Sequence, residues 1–454
     1  MNLNEFKHIY FLGIGGIGMS ALARYFKAKG FNVSGYDKTA SKLTKQLQSE
    51  GINVHYEDKG TAILSELNVK ESLVIYTPAI PKELGEYQAI VSTGFHLIKR
   101  AKALGIITQN SKGLGVAGTH GKTTTSTLLA HVLNQSSVGC NAFLGGIASN
   151  FESNLVLNET TDLTVIEADE FDQSFLELFP YASIITSTDA DHLDIYKNAE
   201  TLIESFQKYA NKTANNGILI REINTQIKAE NAITYATNQP ELKADFHCQN
   251  IQFNNGKFMF DCSCNGKLWE KIELGIPGIH NASNATAVIA LCLAIGLTEM
   301  EIRAGLKTFR GVKRRFEYHI NKENLVYIDD YAHHPTEINA LVSSTRLLYP
   351  KQKIVGIFQP HLYSRTNDFL TEFAQALSKL DEVILLPIYA ARENPIDGVT
   401  SDALLQQIQC SNKQVLSKEA TLEHIETTKN KAVYLTIGAG DIDALVEPLK
   451  ALLL

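Results

Sequence analysis

The sequence predicts an α/β fold in three domains, for three reasons. The chain has 454 residues, more than one hydrophobic core usually supports. Short apolar runs alternate with helix-like segments over most of its length, which is typical of parallel sheets with crossover helices. A polar segment at 108–113 and a basic segment at 310–315 separate the blocks, so we predict domains at 1–107, 108–312 and 313–454.

The composition is that of an ordinary globular protein and excludes several other classes. Hydrophobic residues make up 44% and charged residues 20%, which argues against a disordered, collagenous or coiled-coil chain. The 42 Lys and Arg against 49 Asp and Glu give a net charge of −7, so we expect no nucleic-acid partner. The longest apolar run, 287–295, is far shorter than the roughly 18 residues of a membrane span, so no membrane insertion is expected. Six scattered Cys without a CxxC pair favour a reduced, cytoplasmic setting.

The first block carries the pattern of a Rossmann-like nucleotide-binding domain. A strand at 8–13 leads directly into Gly13-Ile14-Gly15-Gly16-Ile17-Gly18, which fits G-x-G-x-x-G, and a helix follows. A second strand at 31–35 is followed by Asp37. Glycines let the backbone approach a diphosphate, and the helix offers its N-terminal amides. Taken alone, the loop predicts a nicotinamide or flavin site, but any nucleotide with a diphosphate satisfies the same physics, and a turn that binds nothing is the structural alternative.

The second block opens with a strand into a phosphate-binding loop. Gly118-Thr119-His120-Gly121-Lys122-Thr123-Thr124-Thr125 precedes a long helix. Its amides would surround the phosphates of ATP, Lys122 would supply a point charge, and the Thr123 hydroxyl would contact Mg²⁺. The outer glycine of the strict G-x-x-x-x-G-K-T spacing would fall at Val116.

Two acidic strand ends follow this loop. A strand at 163–166 leads into Glu167-Ala168-Asp169-Glu170, and one at 183–188 leads into Asp189-Ala190-Asp191-His192-Leu193-Asp194. Because Mg²⁺ prefers oxygen ligands, we predict Glu167 as its first protein ligand and His192 beside a second, less tightly held ion. Solvation in a loop explains Asp189, Asp191 and Asp194 equally well.

The remaining segments complete the predicted architecture. Residues 244–275 break the βα pattern, and the hairpin signals at 254–256 and Asn265-Gly266 predict antiparallel strands appended to the central sheet. Strands near 325–329, 353–358, 382–386 and 432–437 each precede a polar loop and a helix-like segment. The third block is therefore predicted to be a second Rossmann-like domain.

Together these motifs resemble the Mur ligases of peptidoglycan synthesis. To the loops already described, the chain adds PGIHNASNA at 277–285, DDYAHHPTE at 329–337, FQPH at 358–361, AARE at 390–393 and GAGD at 438–441, in family order over nearly the whole length. The resemblance implies ATP-dependent joining of L-alanine to the lactyl carboxylate of UDP-N-acetylmuramate through an acyl phosphate. It also implies Mg²⁺, a cytoplasmic location, and a monomer or weak homodimer.

The resemblance also assigns residues to the two nucleotides. The uridine diphosphate of the substrate would lie over the first loop, in contact with Gly15, Gly16, Ile17 and Gly18 and near Asp37 and Thr77-Pro78-Ala79. ATP would contact Gly118, Thr119, His120, Gly121, Lys122, Thr123, Thr124, Asn281, Arg315 and Asp330. His120 is in addition a candidate substrate contact. Since Arg315 and Asp330 belong to the third block, we expect a hinge near 310–316.

For the amino acid, the candidates are His333, His334 and Arg365. An arginine fork suits the carboxylate of alanine, and a histidine could orient the amine or accept its proton. One of the two histidines is expected to be a buried support. Leu362 stands where many relatives carry a basic residue, and Arg314 is expected to be solvated surface. The predicted catalytic residues are Lys122, His192, Arg315, His333 and His334.

Three alternatives stay open from the sequence. The nearest is a recycling ligase that joins UDP-N-acetylmuramate to a preformed tripeptide, which would differ in the pocket of the third domain. A folyl-glutamate ligase is more distant, and the first glycine loop speaks against it. A nucleotide-regulated binding protein would use the phosphate loop as a switch, but would not need acceptor-site residues in three blocks.

Overall fold

The computed structural model describes residues 3–109, 111–189, 196, 198–213, 216–254, 257–391 and 393–454. The chain folds into two compact units. Unit 1 consists of Met1–Cys248, Cys262–Trp269 and Asn284–Phe309, and unit 2 of Gln249–Asp261, Glu270–Ser283 and Arg310–Leu454. Within the described part of the chain, every helix is too short or too polar to cross a lipid bilayer.

The strands and helices are numbered in chain order. The strands are β1 His8–Leu12, β2 Asn32–Tyr36, β3 Asn53–His55, β4 Ser72–Tyr76, β5 His96–Lys99, β6 Lys112–Ala117, β7 Asn141–Ala148, β8 Ser153–Val156, β9 Leu163–Glu167, β10 Pro180–Ile185, β11 Ile218–Glu222, β12 Ile233–Thr237, β13 Phe246–Asn254, β14 Lys257–Cys264, β15 Lys267–Leu274, β16 Glu317–Lys322, β17 Leu325–Asp330, β18 Lys353–Phe358, β19 Glu382–Leu385, β20 Lys413–Val415 and β21 Ala432–Ile437. The α-helices are α1 Ile17–Ala28, α2 Lys42–Ser49, α3 Gly85–Ser92, α4 Arg100–Thr108, α5 Lys122–Gln135, α6 Ala199–Ala210, α7 Ile279–Ala294, α8 Glu299–Thr308, α9 Pro335–Leu348, α10 Tyr363–Asp368, α11 Leu370–Leu377, α12 Ser401–Gln407, α13 Lys418–Thr428 and α14 Val446–Leu453.

The first sheet confirms the Rossmann-like prediction. Its order is β3-β2-β1-β4-β5, and all of its strands are parallel. Two clusters of buried side chains cover the two faces of this sheet, and its strands are therefore apolar on both faces. The strand order reverses between β1 and β4, and the carboxyl ends of strands at such a point are where open α/β sheets bind ligands. The first glycine loop follows β1 at this point.

The second sheet has ten strands in the order β15-β14-β13-β12-β11-β10-β6-β9-β7-β8. The strands beside β6 run parallel to it, with β10 on one side and β9 on the other. A two-residue turn, Asn265-Gly266, joins β14 to β15, and both residues have positive φ, as a tight antiparallel hairpin requires. This confirms the antiparallel addition, although 255–256 of the other hairpin signal lie outside the described residues.

The third sheet lies in unit 2 and has the order β16-β17-β21-β18-β19-β20. Only the β16–β17 pair among these is antiparallel within the described residues, and the other neighbours are parallel. The four predicted strands correspond to β17, β18, β19 and β21, whereas the two edge strands, β16 and β20, were not predicted. Apolar clusters cover both faces of the sheet. Because β17, β18 and β21 are parallel neighbours, the polar residues that follow them lie at the same edge. The domain boundaries at 107/108 and 312/313 stay predictions.

Candidate functional site

The first glycine loop closes tightly against the ends of β2 and β4. Gly13 has φ +85°, and a Cβ there would lie 2.6 Å from Cγ2 of Thr77. The Gly15 N–H donates to Oδ2 of Asp37 at 2.8 Å, so the carboxylate fixes the middle of the loop. Pro78 and Ala79 continue the turn after Thr77 and are exposed. The fold therefore brings together the predicted loop, Asp37 and the Thr77 corner.

Arg100 covers the end of the same loop, a contact that no sequence motif predicted. A Cβ on Gly18 would lie 2.3 Å from Nη1 of Arg100, so the guanidinium rests directly on the last glycine. Arg100 begins α4 immediately after β5, at the ligand-binding edge of the sheet. Its Nη2 donates to Oδ2 of Asp169 at 3.2 Å.

The phosphate-binding loop depends on two glycines and on the end of β10. Gly118 and Gly121 have φ of +133° and +83°, and a Cβ on Gly118 would lie 2.1 Å from Oγ1 of Thr186. The Thr186 hydroxyl lies within hydrogen-bond distance of the carbonyl oxygens of Ala117 and His120. Because α5 begins at Lys122, its first-turn N–H groups point toward the loop, as anion binding requires.

The loop is also supported by side chains that neighbour it. Oγ1 of Thr119 lies 2.8 Å from Oγ of Ser187. Asn284, inside α7, is buried, and its Oδ1 would lie 2.8 Å from a Cβ on Gly121. Nε2 of His120 lies 3.7 Å from Oδ2 of the half-exposed Asp189. The remaining residues of the second acidic strand end, Asp191, His192 and Asp194, lie outside the described residues.

Lys122 is the residue of this loop that lies among several carboxylates. Its Nζ donates to the carbonyl oxygen of Gly118 at 2.7 Å and to Oε1 of Glu170 at 2.9 Å. Burial alone would lower the pKa of Lys122, but the carboxylates of Glu170, Asp169 and Glu167 outweigh burial and raise that pKa above its ordinary value. Lys122 is therefore a fixed positive charge.

Glu167 stands beside the phosphate-binding loop and lines a cavity that the first glycine loop also lines. It ends β9 and pairs in register with Val116 of β6, so it stands beside the strand that enters the phosphate loop. Its Oε2 accepts the Gly145 N–H at 3.2 Å, and a Cβ on Gly145 would collide with the carboxylate. Gly18 and Arg100 line a cavity of about 80 Å³ together with Glu167 and Asp169. The first glycine loop and the surroundings of Lys122 thus share one cavity.

In unit 2, Asp330 and two arginines meet at the end of β17. The Asp330 carboxylate accepts the backbone N–H groups of Phe316 at 2.7 Å and Ala332 at 2.8 Å. Burial raises the pKa of Asp330 to about 6, although the Arg315 guanidinium and both N–H donors oppose the shift. Arg315 lies 3.7 Å from Oε1 of Glu337 and over the ring of Tyr331.

The prediction for Arg314 was wrong. Its Nε donates to the buried Asp329 at 3.1 Å and its Nη2 to the carbonyl oxygen of Gly438 at 2.8 Å. The guanidinium joins the ends of β17 and β21, which lie side by side in the sheet. Arg314 is therefore a structural ion-pair partner and not solvated surface, because the buried Asp329 needs a cation.

The two adjacent histidines have different surroundings. His334 is buried, packs edge-on against Phe369, and accepts the Thr336 N–H through Nδ1 at the start of α9. His333 has Nδ1 3.0 Å from the carbonyl oxygen of Tyr331 and 3.3 Å from Oε2 of Glu337. Burial lowers the pKa of His333 to about 4, with the Glu337 carboxylate opposing the shift.

Three further residues of unit 2 that the sequence analysis named are buried, namely Arg365, Leu362 and Asn281. Nη1 of Arg365 lies 3.4 Å from Nδ1 of His361, whose ring is 6.1 Å from the ring of His333. Leu362 has φ +71° at the start of α10, and the helix N-terminus is tied to Glu393 through Ser364. The Asn281 amide donates to the carbonyl oxygen of Pro277 at 2.6 Å.

Three sequence models of one family match the chain in order. The Mur ligase family catalytic domain matches residues 8–112, the Mur ligase middle domain 116–292, and the Mur ligase glutamate ligase domain 314–440. The chain belongs to the Mur ligase family. This confirms the resemblance drawn from the motifs.

This Mur ligase is similar over its full length to curated relatives. The UDP-N-acetylmuramate–L-alanine ligase of Cytophaga hutchinsonii is 46% identical, over 100% of this chain and 98% of the relative. That of Porphyromonas gingivalis is 48% identical, over 98% of both chains. Among solved structures, the UDP-N-acetylmuramate-alanine ligase of Thermotoga maritima matches with a TM-score of 0.81 at 27% identity, over 97% of both chains.

Sequence patterns alone missed three charged residues in this Mur ligase. Arg100 contacts Asp169, which lies 69 positions further along the chain. Glu170 contacts Lys122, which lies 48 positions before it. Glu337 ends the motif DDYAHHPTE, which predicted no role for it, although its carboxylate faces both Arg315 and His333. A buried lysine needs a carboxylate nearby. Glu170, at the end of the motif EADE, is the residue that this rule could have identified.

Proposed function

We propose that this Mur ligase joins L-alanine to the lactyl carboxylate of UDP-N-acetylmuramate, with ATP converted to ADP and phosphate, in peptidoglycan precursor synthesis. The observation that carries the proposal is the cavity shared by the first glycine loop and the Glu167 strand end beside the phosphate loop. The names of the full-length relatives specify alanine as the amino acid, which supports this reaction over the addition of a preformed tripeptide. The six scattered Cys without a CxxC pair support a cytoplasmic location for the reaction.

The chemistry requires activation of a carboxylate. A carboxylate is a poor acyl donor because oxide would have to leave. An oxygen of the lactyl carboxylate attacks the γ-phosphorus of ATP, ADP departs, and an acyl phosphate forms. The amine of alanine then attacks the carbonyl carbon, and phosphate leaves with the oxygen that the carboxylate supplied. Lys122 and the N–H groups at the start of α5 stabilise the charge on the phosphate oxygens, and this charge stabilisation and positioning supply most of the catalysis.

The residues beside the phosphate loop fit Mg²⁺. Glu167 offers a carboxylate at the end of β9 and Thr123 a hydroxyl in the first turn of α5, and oxygen donors of these kinds suit the ion. When bound, Mg²⁺ neutralises phosphate charge and reduces the repulsion between ATP and the substrate carboxylate. Glu167 contributes in its own right by accepting the Gly145 N–H, which fixes the direction of its carboxylate. His192 stays a candidate for a second ion.

On the substrate side, the first glycine loop binds the diphosphate of UDP-N-acetylmuramate. Gly15, Gly16, Ile17 and Gly18 supply backbone groups, and the N-terminus of α1 favours negative charge. Asp37 holds the loop in shape through the Gly15 N–H, and Thr77 packs on Gly13. A loop held on both sides in this way needs little reorganisation when an anion binds.

In unit 2, His333 is the group proposed to accept the proton of the alanine amine. A carbonyl oxygen can only accept, so Nδ1 of His333 carries the proton that Tyr331 accepts, and Nε2 is left as the basic nitrogen. The lowered pKa keeps this ring neutral at physiological pH. Arg365 binds the alanine carboxylate, and His334 supports the loop as the cap of α9. Arg315, Asp330 and Asn281 are the proposed ATP contacts of this unit.

The proposal is tested by measuring ADP formation by the purified protein against a panel of UDP-sugars and amino acids. We expect ADP to form only when UDP-N-acetylmuramate and L-alanine are both present, with one amide product per ADP. ADP formation with the murein tripeptide but not with L-alanine would identify the recycling reaction instead. Turnover with glutamate and no requirement for a UDP-sugar would assign the chain to folyl-glutamate chemistry.

A further inference from the structure

We propose that Arg100 binds the diphosphate of UDP-N-acetylmuramate and that Asp169 competes with the substrate for its guanidinium. The inference rests on the proposed function and adds a substrate-binding residue to it. It predicts opposite effects for the two partners of one ion pair, which a purely structural ion pair would not produce.

The first observation is the position of the guanidinium on the glycine loop. A Cβ on Gly18 would lie 2.3 Å from Nη1, 3.2 Å from Cδ and 3.3 Å from Cζ of Arg100. The head of Arg100 therefore lies in contact with the last residue of G-x-G-x-x-G, in the first turn of α1. A diphosphate bound over Gly15 to Gly18 must come within reach of this group. Arginine presents five N–H donors in a planar fork, which matches phosphate oxygens in pairs.

The second observation is the weakness of the existing ion pair. Nη2 of Arg100 lies 3.2 Å from Oδ2 of Asp169, and the two side chains are 26% and 33% exposed. Ion pairs with this much solvent contact contribute little to stability. A diphosphate carries more charge than one carboxylate and presents several oxygens, so it can replace Asp169 as the partner of Arg100.

The third observation is the charge around the cavity. Among the described residues that line it, Arg100 is the one cation, and the carboxylates of Glu167 and Asp169 form a negative wall. An anionic sugar nucleotide that enters from the first glycine loop would be repelled by these two carboxylates. Arg100 offsets that repulsion where the substrate passes from the loop toward Glu167. Without Arg100, the diphosphate would face the two carboxylates with no cation among the described residues that line the cavity.

The test measures the dissociation constants of UDP and UDP-N-acetylmuramate by calorimetry, with no ATP present. The variants are Arg100→Met, Arg100→Lys and Asp169→Asn. The matched control is Lys99→Met, which removes one positive charge from the adjacent position. Lys99 pairs with Asp172 at 2.9 Å, and both partners are more exposed than Arg100 and Asp169. This control separates a direct contact from a change in net charge.

We expect Arg100→Met to raise the dissociation constants of both ligands by on the order of tenfold, because charge-assisted contacts with a phosphate are lost. Asp169→Asn should lower both by roughly two- to fivefold, since a partly exposed competitor is removed. Lys99→Met should leave both unchanged within about twofold. Arg100→Lys should lie between wild type and Arg100→Met, because it keeps the charge and loses the fork.

Each of four results would overturn the inference. Binding by Arg100→Met that equals wild type would exclude the contact. An equal loss of affinity in Lys99→Met would show that net charge, and not a direct contact, explains the effect. A loss of affinity for UDP-N-acetylmuramate with unchanged affinity for UDP would show that Arg100 contacts another part of the substrate than the diphosphate. If Arg100→Met does not fold, weaker binding by Asp169→Asn would decide against the inference. Wild-type protein that binds no UDP-N-acetylmuramate would instead refute the proposed function.

Discussion

Nζ of Lys122 lies 2.9 Å from Oε1 of Glu170, a carboxylate with no exposed side-chain surface. The phosphate-loop lysine is thus neutralised by a residue that adjoins the negative wall of the cavity. The same cation must serve the phosphates of ATP in the proposed reaction. The same ion pair therefore affects both the stability of unit 1 and the charge available at its proposed nucleotide site.

The first prediction concerns this ion pair and stability. Lys122→Met removes the ammonium group from a buried carboxylate, and we expect a loss of about 3 kcal/mol in the free energy of unfolding. The double variant Lys122→Met/Glu170→Gln should recover most of that loss, because no buried charge then lacks a counter-charge. Urea unfolding of the three proteins measures both values. Equal stability of the single and double variants would show that the pair is not coupled.

A second prediction separates catalysis from substrate binding at the same residue. Lys122→Ala should lower ligase turnover by about a thousandfold or more, because the charge on the phosphate oxygens loses a fixed cation. Its affinity for UDP-N-acetylmuramate, measured without ATP, should equal that of wild type, since Lys122 belongs to the other loop. Turnover that survives the substitution would refute the role of Lys122.

The third prediction tests Glu167 as an Mg²⁺ ligand. Glu167→Gln should raise the Mg²⁺ concentration at half-maximal rate by about tenfold, because a neutral amide binds a hard cation weakly. Glu177→Gln is the matched control, since Glu177 is exposed and pairs with Lys102. An unaltered Mg²⁺ titration in Glu167→Gln would remove this residue from the metal site.

A fourth prediction follows from the buried, neutral His333. Its pKa is lowered to about 4, whereas the unfolded chain takes up the proton near 6.5. Its contribution to stability is therefore present above pH 6.5 and is lost as the pH falls toward 4. Between pH 7.5 and 5, wild type should lose about 2 kcal/mol more stability than His333→Gln. Urea unfolding at both pH values tests this, with the exposed His96→Gln as control, and parallel losses in wild type and His333→Gln would contradict it.

Local sequence signals were sufficient for most of the fold. The strands before the two glycine loops are apolar runs that end in glycine, so both their type and their order could be predicted. Asn265-Gly266 predicted a hairpin because both positions require positive φ. The short strands β3, β5 and β20 gave no such signal, because few of their side chains are buried and their sequences resemble loops.

The candidate site was predictable only where its residues form continuous motifs. Gly15, Lys122 and Glu167 each lie in a motif directly after a strand. Arg100 and Glu170 acquire partners through the packing of distant segments, and no spacing in the sequence encodes those contacts. Arg314 was misjudged for the same reason, because Asp329 and Gly438 reach it from separate strands of the third sheet.

The central claim is that ATP activates the lactyl carboxylate at the cavity that the first glycine loop shares with the Glu167 strand end. The most direct measurement uses UDP-N-acetylmuramate labelled with ¹⁸O in both carboxylate oxygens, with mass spectrometry of the phosphate released in the presence of ATP and L-alanine. One ¹⁸O atom should appear in each phosphate, because the oxygen that attacks the γ-phosphorus leaves with it. Unlabelled phosphate, formed together with the amide product, would contradict activation by phosphoryl transfer.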